Sequence, residues 1–389
     1  MTNPPIDKTA QLLTQYSNEE RFAEALQILK TLRGRLPEHV LAYNEGLLCH
    51  RMCNLSEAIR LFERSIKLEP NAPMVHWTYS LALLTSGNLR RGWEEFEWRL
   101  KAAELRLGRT FPKPQWTGRE DLAGKTILLH TEGGFGDAFH FLRYVPMVLA
   151  RGARVLLECE PSLFPLFNAY PGVASTHVRG SALPEFDYFS ALQSLPRAFE
   201  TTLRTIPATV PYLWAPPALV ESWRDKLGPP RGLRVGLSWC GSAIAWPKRS
   251  RTLATFAPLA KVQNVEFHSL QIGAEAAEPR PPGMEVADHA RDLSDFAQTA
   301  ALASSMDLII SVDTSITHLG GALGKPVWVI LPKDPDFRWL MDRTDSPWYP
   351  KTRLFRQARK STGWEEVVGV IASELQKAAS QLNAGIGAV

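Results

Sequence analysis

The sequence predicts an α plus α/β protein: an N-terminal domain of helical repeats followed by two Rossmann-like lobes. Three observations predict it. The first hundred residues repeat with a period of 33 to 34, and from Thr126 onward short apolar runs of strand type alternate with helical segments. That alternation comes in two series, parted by a Pro-rich stretch at 211–230.

The repeat is read by offset. Ala42-Tyr43-Asn44-Glu45-Gly46 falls on His76-Trp77-Thr78-Tyr79-Ser80 at an offset of 34, which also pairs Asn54-Leu55 with Asn88-Leu89, Ala58 with Gly92 and Phe62 with Phe96. One unit earlier, at an offset of 33, Ala25 falls on Ala58, Leu29 on Phe62 and Pro37 on Pro70. Each unit reads as helix, turn, helix, with small residues where two helices touch and a Pro ending the second. The pattern resembles the tetratricopeptide repeat, with about three units over 8–105 and weaker matches at the two ends, as capping repeats show. Such a stack either takes extended peptide on its concave face or braces the domain that follows; the sequence leaves both open. Domain boundaries are expected at 1–105 for the repeats and at 106–123 for a linker rich in Gly and Pro.

The α/β part begins with Thr126-Ile127-Leu128-Leu129-His130, a short buried-strand run, followed by a glycine turn and a helix expected over 138–150. Strands are expected at 154–159 and 186–189, with a helix at 162–168 between them. A second series places strands at 234–239, 265–270, 307–312 and 326–331. Alternation of this length implies parallel sheets covered on both faces. One lobe is expected over 124–222 and the other over 223–389, with ligands beyond the C-terminal strand ends.

Bulk properties narrow the classes. The 389 residues exceed one ordinary core, and 45% hydrophobic with 22% charged residues is a globular balance. The formal charge is +4, with Lys and Arg spread among 40 acidic residues, which argues against a nucleic-acid partner. No run reaches the roughly 18 apolar residues of a membrane span, and residues 1–7 lack the apolar run of a secretory signal. A cytoplasmic protein is expected. The four cysteines show no metal-ligand spacing; Cys49 and Cys53, four apart, are expected on one helix.

Four constellations fall at strand ends. Gly133-Gly134-Phe135-Gly136-Asp137 follows the first strand, and Gly134 and Gly136 would let backbone approach a ligand beside a helix N-terminus. Asp137 either faces the cleft or complements the helix dipole. Asp313-Thr314-Ser315 ends the strand at 307–312, with His318 one turn into the next helix. A capped helix start, hydroxyls and an imidazole together suit a diphosphate. Gly241-Ser242 and then Lys248-Arg249-Ser250-Arg251 follow the strand at 234–239, where Lys248, Arg249 and Arg251 would neutralise phosphate or form a solvated basic loop. Asp336-Phe337-Arg338-Trp339 suits sugar or acceptor recognition through Asp336, Arg338 and the Trp339 ring, or a loop packed by its aromatics.

Together these residues resemble bacterial tetratricopeptide-repeat glycosyltransferases with a catalytic part like the heptosyltransferases of family 9. The resemblance spans nearly the whole chain. It is carried by Gly136-Asp137, by Val312-Asp313-Thr314-Ser315 with His318 and Gly324-Lys325-Pro326, and by Asp345-Ser346-Pro347-Trp348-Tyr349 with Leu354-Phe355-Arg356-Gln357. It implies a GT-B fold, with a nucleotide-diphosphate sugar held mainly by the C-terminal lobe, and inverting, metal-independent transfer without a cofactor. It makes Asp137 the base and assigns the donor diphosphate to Asp313, Thr314, Ser315 and His318. The chain departs from the pattern at two places. Trp246 stands where relatives often carry Lys, which shifts the phosphate cation to Lys248, Arg249 or Arg251. His140 stands where relatives often show Gln, which makes it a rival base. The acceptor is expected to be a protein or peptide presented by the repeats; a lipopolysaccharide-type saccharide acceptor and a non-catalytic scaffold are the alternatives. The sequence names neither the sugar nor the oligomeric state.

Overall fold

The computed structural model describes residues 6–241, 250–358 and 363–383. The chain divides into two compact units. One is drawn from Met1–Thr110 with Glu200–Arg204 and Asp334–Met341, the other from Phe111–Phe199, Thr205–Lys333 and Asp342–Val389.

The first unit is helical: α1 (Ile6–Asn18), α2 (Phe22–Thr31), α3 (Glu38–Arg51), α4 (Leu55–Leu68), α5 (Pro73–Thr85) and α6 (Leu89–Phe96). Consecutive helices pack in pairs, α1 on α2, α3 on α4 and α5 on α6. Small residues permit the close approach: a Cβ on Gly46 would lie 2.7 Å from the Phe62 ring, and one on Gly92 would lie 2.6 Å from Leu84. The repeat is also written in the backbone. The first helix of each pair ends on a left-handed residue, Glu20 at φ 59°, Cys53 at φ 60° and Gly87 at φ 87°. The following N–H then reaches back five residues, Arg21 to the Tyr16 carbonyl, Asn54 to Cys49 and Asn88 to Leu83. This is the Schellman closure of a helix end. Cys53, expected on the helix with Cys49, is therefore a turn residue: α3 stops at Arg51.

The second unit holds two sheets, both wholly parallel. The first contains β1 (Thr126–His130), β2 (Arg154–Cys159), β3 (Ser175–Val178) and β4 (Tyr188–Ala191) in the order β3-β2-β1-β4. Its helical segments are α7 (Phe135–Phe141), α8 (Val145–Leu149), α9 (Phe164–Phe167) and α10 (Leu195–Ala198). After α11 (Pro217–Leu227) comes the second sheet, made of β5 (Leu233–Ser238), β6 (Val265–Ser269), β7 (Val286–Ala287), β8 (Leu308–Val312), β9 (Val327–Leu331) and β10 (Thr352–Arg356). Its order, β10-β9-β8-β5-β6-β7, is the doubly wound arrangement in which the chain reverses between the first and fourth strands. The helices here are α12 (Phe296–Ser304), α13 (Ser315–Ala322) and α14 (Glu365–Asn383). Strands β5, β8 and β9 are buried at every position; β9 reads as a continuous apolar run and β8 as one broken by Ser311, whereas β5 alternates its apolar residues with Arg234, Gly236 and Ser238. Val235, Leu237, Ile310, Val312 and Ile330 form the core on which Ile371 and Leu375 of α14 pack.

Several expectations shift. The helix expected over 138–150 is broken: α7 passes through a 3-10 turn at Leu142–Tyr144, and α8 restarts with Pro146 in its first turn. Proline has no N–H to continue the ladder. The strand expected at 186–189 lies two residues later, as β4. Strands β3, β7 and β10 were not anticipated, being short or alternating edge strands. Part of the expected linker runs along β4, with the Trp116 N–H donating to the Phe189 carbonyl at 2.8 Å and Trp116 itself buried. Among the described residues, no helix is long and apolar enough to cross a membrane.

Candidate functional site

In each sheet of the second unit, the strand order reverses beside one glycine-bearing turn. In the first sheet that point lies between β1 and β4, where Glu132-Gly133-Gly134 leads into α7. Gly133 has φ +71°, and a Cβ there would stand 2.7 Å from Asp137 Oδ2 and 2.8 Å from Gln193 Nε2. Conformation and space both demand glycine. Gln193, just past β4, donates to the Glu132 carbonyl at 3.0 Å and fixes the turn from the other side. Asp137 closes it: the Gly134 N–H donates to Asp137 Oδ2 at 2.8 Å, and the Asp137 N–H donates to the Gly134 carbonyl at 3.0 Å. The carboxylate thus makes the side-chain half of a capping box at the positive end of α7. Asp137 remains partly exposed, whereas His140 is fully buried.

In the second sheet the reversal lies between β5 and β8. Strand β5 runs out through Trp239, Cys240 and Gly241; the Trp239 and Cys240 N–H groups donate to Gln271 Oε1 at 3.2 and 3.0 Å. Strand β8 runs out through Asp313 and Thr314. Thr314 caps α13, accepting from the Ile316 N–H at 3.3 Å, and its hydroxyl shares a hydrogen bond with Ser311 at 3.1 Å. Ser315 opens the helix and stays partly exposed. A Cβ on Gly241 would touch Thr314 at 3.2 Å, so the two strand ends converge. Asp313 and His318 are buried, with His318 Nε2 3.7 Å from Asp313 Oδ1.

The two helix starts meet. A Cβ on Gly136 would lie 2.8 Å from His318 Cδ2 and 3.5 Å from Ser315 Cα, so α7 rests directly on the first turn of α13. Beneath this contact, Tyr349 places its hydroxyl 3.0 Å from His140 Nδ1 and 2.9 Å from His318 Nδ1. Arg143, fully enclosed, donates to the His140 carbonyl at 2.7 Å, the Trp348 carbonyl at 2.6 Å and the Tyr212 hydroxyl at 3.0 Å. Burial pushes the Tyr212 phenol above its usual range, against the pull of Arg143.

The structure therefore brings Gly134, Gly136, Asp137 and His140 together with Asp313, Thr314, Ser315 and His318. Arg251 is fixed at the end of β5, its N–H donating to the Trp239 carbonyl at 2.7 Å and its guanidinium 3.7 Å from the Trp364 ring centroid. Ser242, Lys248 and Arg249 lie outside the described residues. Lys325 sits at the far end of α13, where its ammonium donates to the Ser304 carbonyl at 3.1 Å and burial lowers its pKa.

Asp336, Arg338 and Trp339 belong instead to the helical unit. Asp336 caps a 3-10 turn at Phe337–Trp339, accepting from the Arg338 backbone at 3.0 Å and its guanidinium at 2.9 Å. Phe337 packs edge-on against Trp93 at 5.6 Å, and Trp339 is fully buried. No face of the Trp339 ring is open to a sugar; the packed loop, the other reading of this run, accounts for these side chains. Arg143, Gln193, Tyr212 and Gln271 had no place in the sequence reading. Of these, only Arg143 carried a signal, as a charge three residues after His140 inside an apolar segment.

Among the described residues, no three His, Cys, Asp or Glu side chains stand together as a metal site requires. No protein-family model matches the chain. The chain is 27% identical over 434 residues to Protein FlbA of Caulobacter vibrioides, covering 92% of this chain and 70% of that protein. A glycosyl transferase family 9 protein from Veillonella parvula superposes with a TM-score of 0.50 at 10% identity, over 69% of this chain and 99% of the other. The E. coli ADP-heptose lipopolysaccharide heptosyltransferase II gives a TM-score of 0.47 at 13% identity, over 65% and 99%. The likeness to the Veillonella protein shows the fold: the parallel-sheet unit is built on the two-lobed plan of a family 9 glycosyltransferase.

Proposed function

We propose that this chain is a glycosyltransferase that moves a sugar from a nucleotide-diphosphate donor to an acceptor hydroxyl or amide, with inversion and without a metal. The observation that carries the reading is the meeting of two helix starts, each at the strand-order reversal of its own sheet, across Gly136, Ser315 and His318. In this reading the positive end of α13, with Ser315 and His318, holds the donor diphosphate and stabilises the charge that grows on it as the sugar–phosphate bond breaks. Arg251 and the cations Lys248 and Arg249 add to that field. Asp137 removes the acceptor proton. Its partial exposure supports it over His140, which is fully buried. The helical pairs are read as tetratricopeptide-type repeats that present a protein or peptide acceptor.

The test is calorimetric. A panel of nucleoside diphosphates and their sugars is titrated into the full chain, and the tightest is repeated with His318→Ala. Loss of a charge-assisted hydrogen bond, about 1.5–3 kcal/mol, weakens binding roughly 10- to 100-fold. An unchanged dissociation constant removes His318 from the donor site. Hydrolysis of the bound nucleotide sugar separates an enzyme from a binding scaffold, and peptide against glycan acceptors separates the two acceptor classes.

A further inference from the structure

Arg143, just past α7, is 2% exposed. Each of its three guanidinium nitrogens has an acceptor: Nε donates to the His140 carbonyl, Nη1 to the Trp348 carbonyl and Nη2 to the Tyr212 hydroxyl. That hydroxyl spends its own proton on the Phe139 carbonyl at 3.0 Å. Aromatic rings cover the group, with the centroids of Tyr349, Tyr212 and Trp348 at 4.5, 5.0 and 5.2 Å from Cζ. Among the described residues, the hydrogen-bond and ring partners of Arg143 include no carboxylate.

An arginine keeps its proton inside a protein, and a buried charge normally sits beside an opposite one because its desolvation is costly. Here two carbonyls and a phenol satisfy the hydrogen bonds and leave a whole positive charge unanswered. The buried acid of the candidate site, Asp313, is turned to His318, with Oδ1 3.7 Å from Nε2. The unanswered charge lies one ring away from the start of α13: Arg143 covers Tyr349, whose hydroxyl is 2.9 Å from His318 Nδ1. Between the two lies a layer of aromatic side chains, through which a charge acts much more strongly than through water.

We propose that the Arg143 guanidinium is the buried counter-charge of the donor diphosphate: it does not touch the ligand, and its field across the Tyr349 ring favours the second phosphate at the start of α13. The role rests on the donor-site reading given above. Arg143 is on this view a positioning residue, not a catalytic one.

The test is calorimetric, on the full chain, with the tightest binder among ADP, GDP, UDP and CDP and with the corresponding monophosphate; the quantity read is the ratio of the two dissociation constants. Arg143→Met fills most of the same space without the charge. The diphosphate is expected to lose about 10-fold and the monophosphate about 3-fold, so that the preference for the second phosphate shrinks. Loss of packing alone weakens both ligands equally. Equal losses, or none, overturn the proposal and leave the donor site standing. If Arg143→Met does not fold, the wild type decides. An enclosed charge is screened little by salt, so the preference should persist from about 0.1 to 1 M NaCl. A preference carried by exposed cations collapses over that range, and such a collapse overturns the proposal. A wild type that binds none of the four diphosphates removes the donor-site reading instead, and this role falls with it.

Discussion

The Gly134 N–H donates to Asp137 Oδ2 at 2.8 Å, so the residue read as the base is also the one that closes the turn on which it sits. The two roles separate in Asp137→Asn. Asparagine keeps an oxygen to accept from Gly134 and so preserves the cap, whose loss costs about 1 kcal/mol. It removes the basicity, and turnover is expected to fall by ~10²–10⁴ while donor affinity stays nearly unchanged. Steady-state rates and calorimetry on the same protein check this; full turnover in Asp137→Asn moves the chemistry elsewhere. Much of this turn was legible, because glycines directly after an apolar strand announce a backbone that needs φ > 0 and close approach. Gln193 and Gln271 were not legible. Each acts by reaching from another strand end to a backbone group, and nothing in its own neighbourhood records that.

At the scale of the element, the repeat period in the sequence matches a repeated helix ending in the structure, in which two of the three left-handed residues, Glu20 at φ 59° and Cys53, are not glycine. Gly87 takes the left-handed position freely, while Cys53 takes it at φ 60°. A side chain at that conformation costs about 1–2 kcal/mol, partly offset because glycine loses more freedom on folding. Cys53→Gly should therefore stabilise the helical unit by roughly 1 kcal/mol, seen as a rise of about 2–4 °C in its thermal midpoint. Gly87→Ala should lower it, since its φ is +87° and its Cβ would also press on Leu203 at 3.2 Å. Equal midpoints in all three proteins would show that the turn conformation carries no such cost. Long buried strands such as β8 and β9 were legible for the same reason that repeats were: the pattern is local and strong. Strand β7, two residues long, and β10, whose Thr352-Arg353-Leu354-Phe355-Arg356 alternates at the sheet edge, are fixed by the neighbours they pair with and leave little local trace.

For the whole molecule, sequence order and spatial membership part company at 200–204 and 334–341, which join the helical unit although they lie far along the chain. Phe337, seated between Trp93 at 5.6 Å and Phe96 at 6.1 Å, shows why a run of aromatic and charged residues was open to a sugar-site reading. Composition alone does not say what an aromatic faces. A departing nucleoside diphosphate develops negative charge, which is stabilised either by a divalent cation held on carboxylates or by fixed groups of the protein. Around the candidate site Asp313 is buried beside His318, Glu132 is buried in the turn before α7 and Asp137 accepts from the Gly134 N–H, together with the N-terminus of α13 and the cation Arg251 at the end of β5. In the function proposed above, the charge is met by the start of α13 and by fixed cations, and not by a divalent cation, which calls for several oxygen ligands. The proposed enzyme is accordingly expected to keep its turnover in excess EDTA, measured as release of nucleoside diphosphate from the sugar donor that binds tightest. Complete loss of turnover, restored by magnesium or manganese, would mean that the diphosphate is held by a metal and that the helix start at Thr314 and Ser315 serves the fold instead.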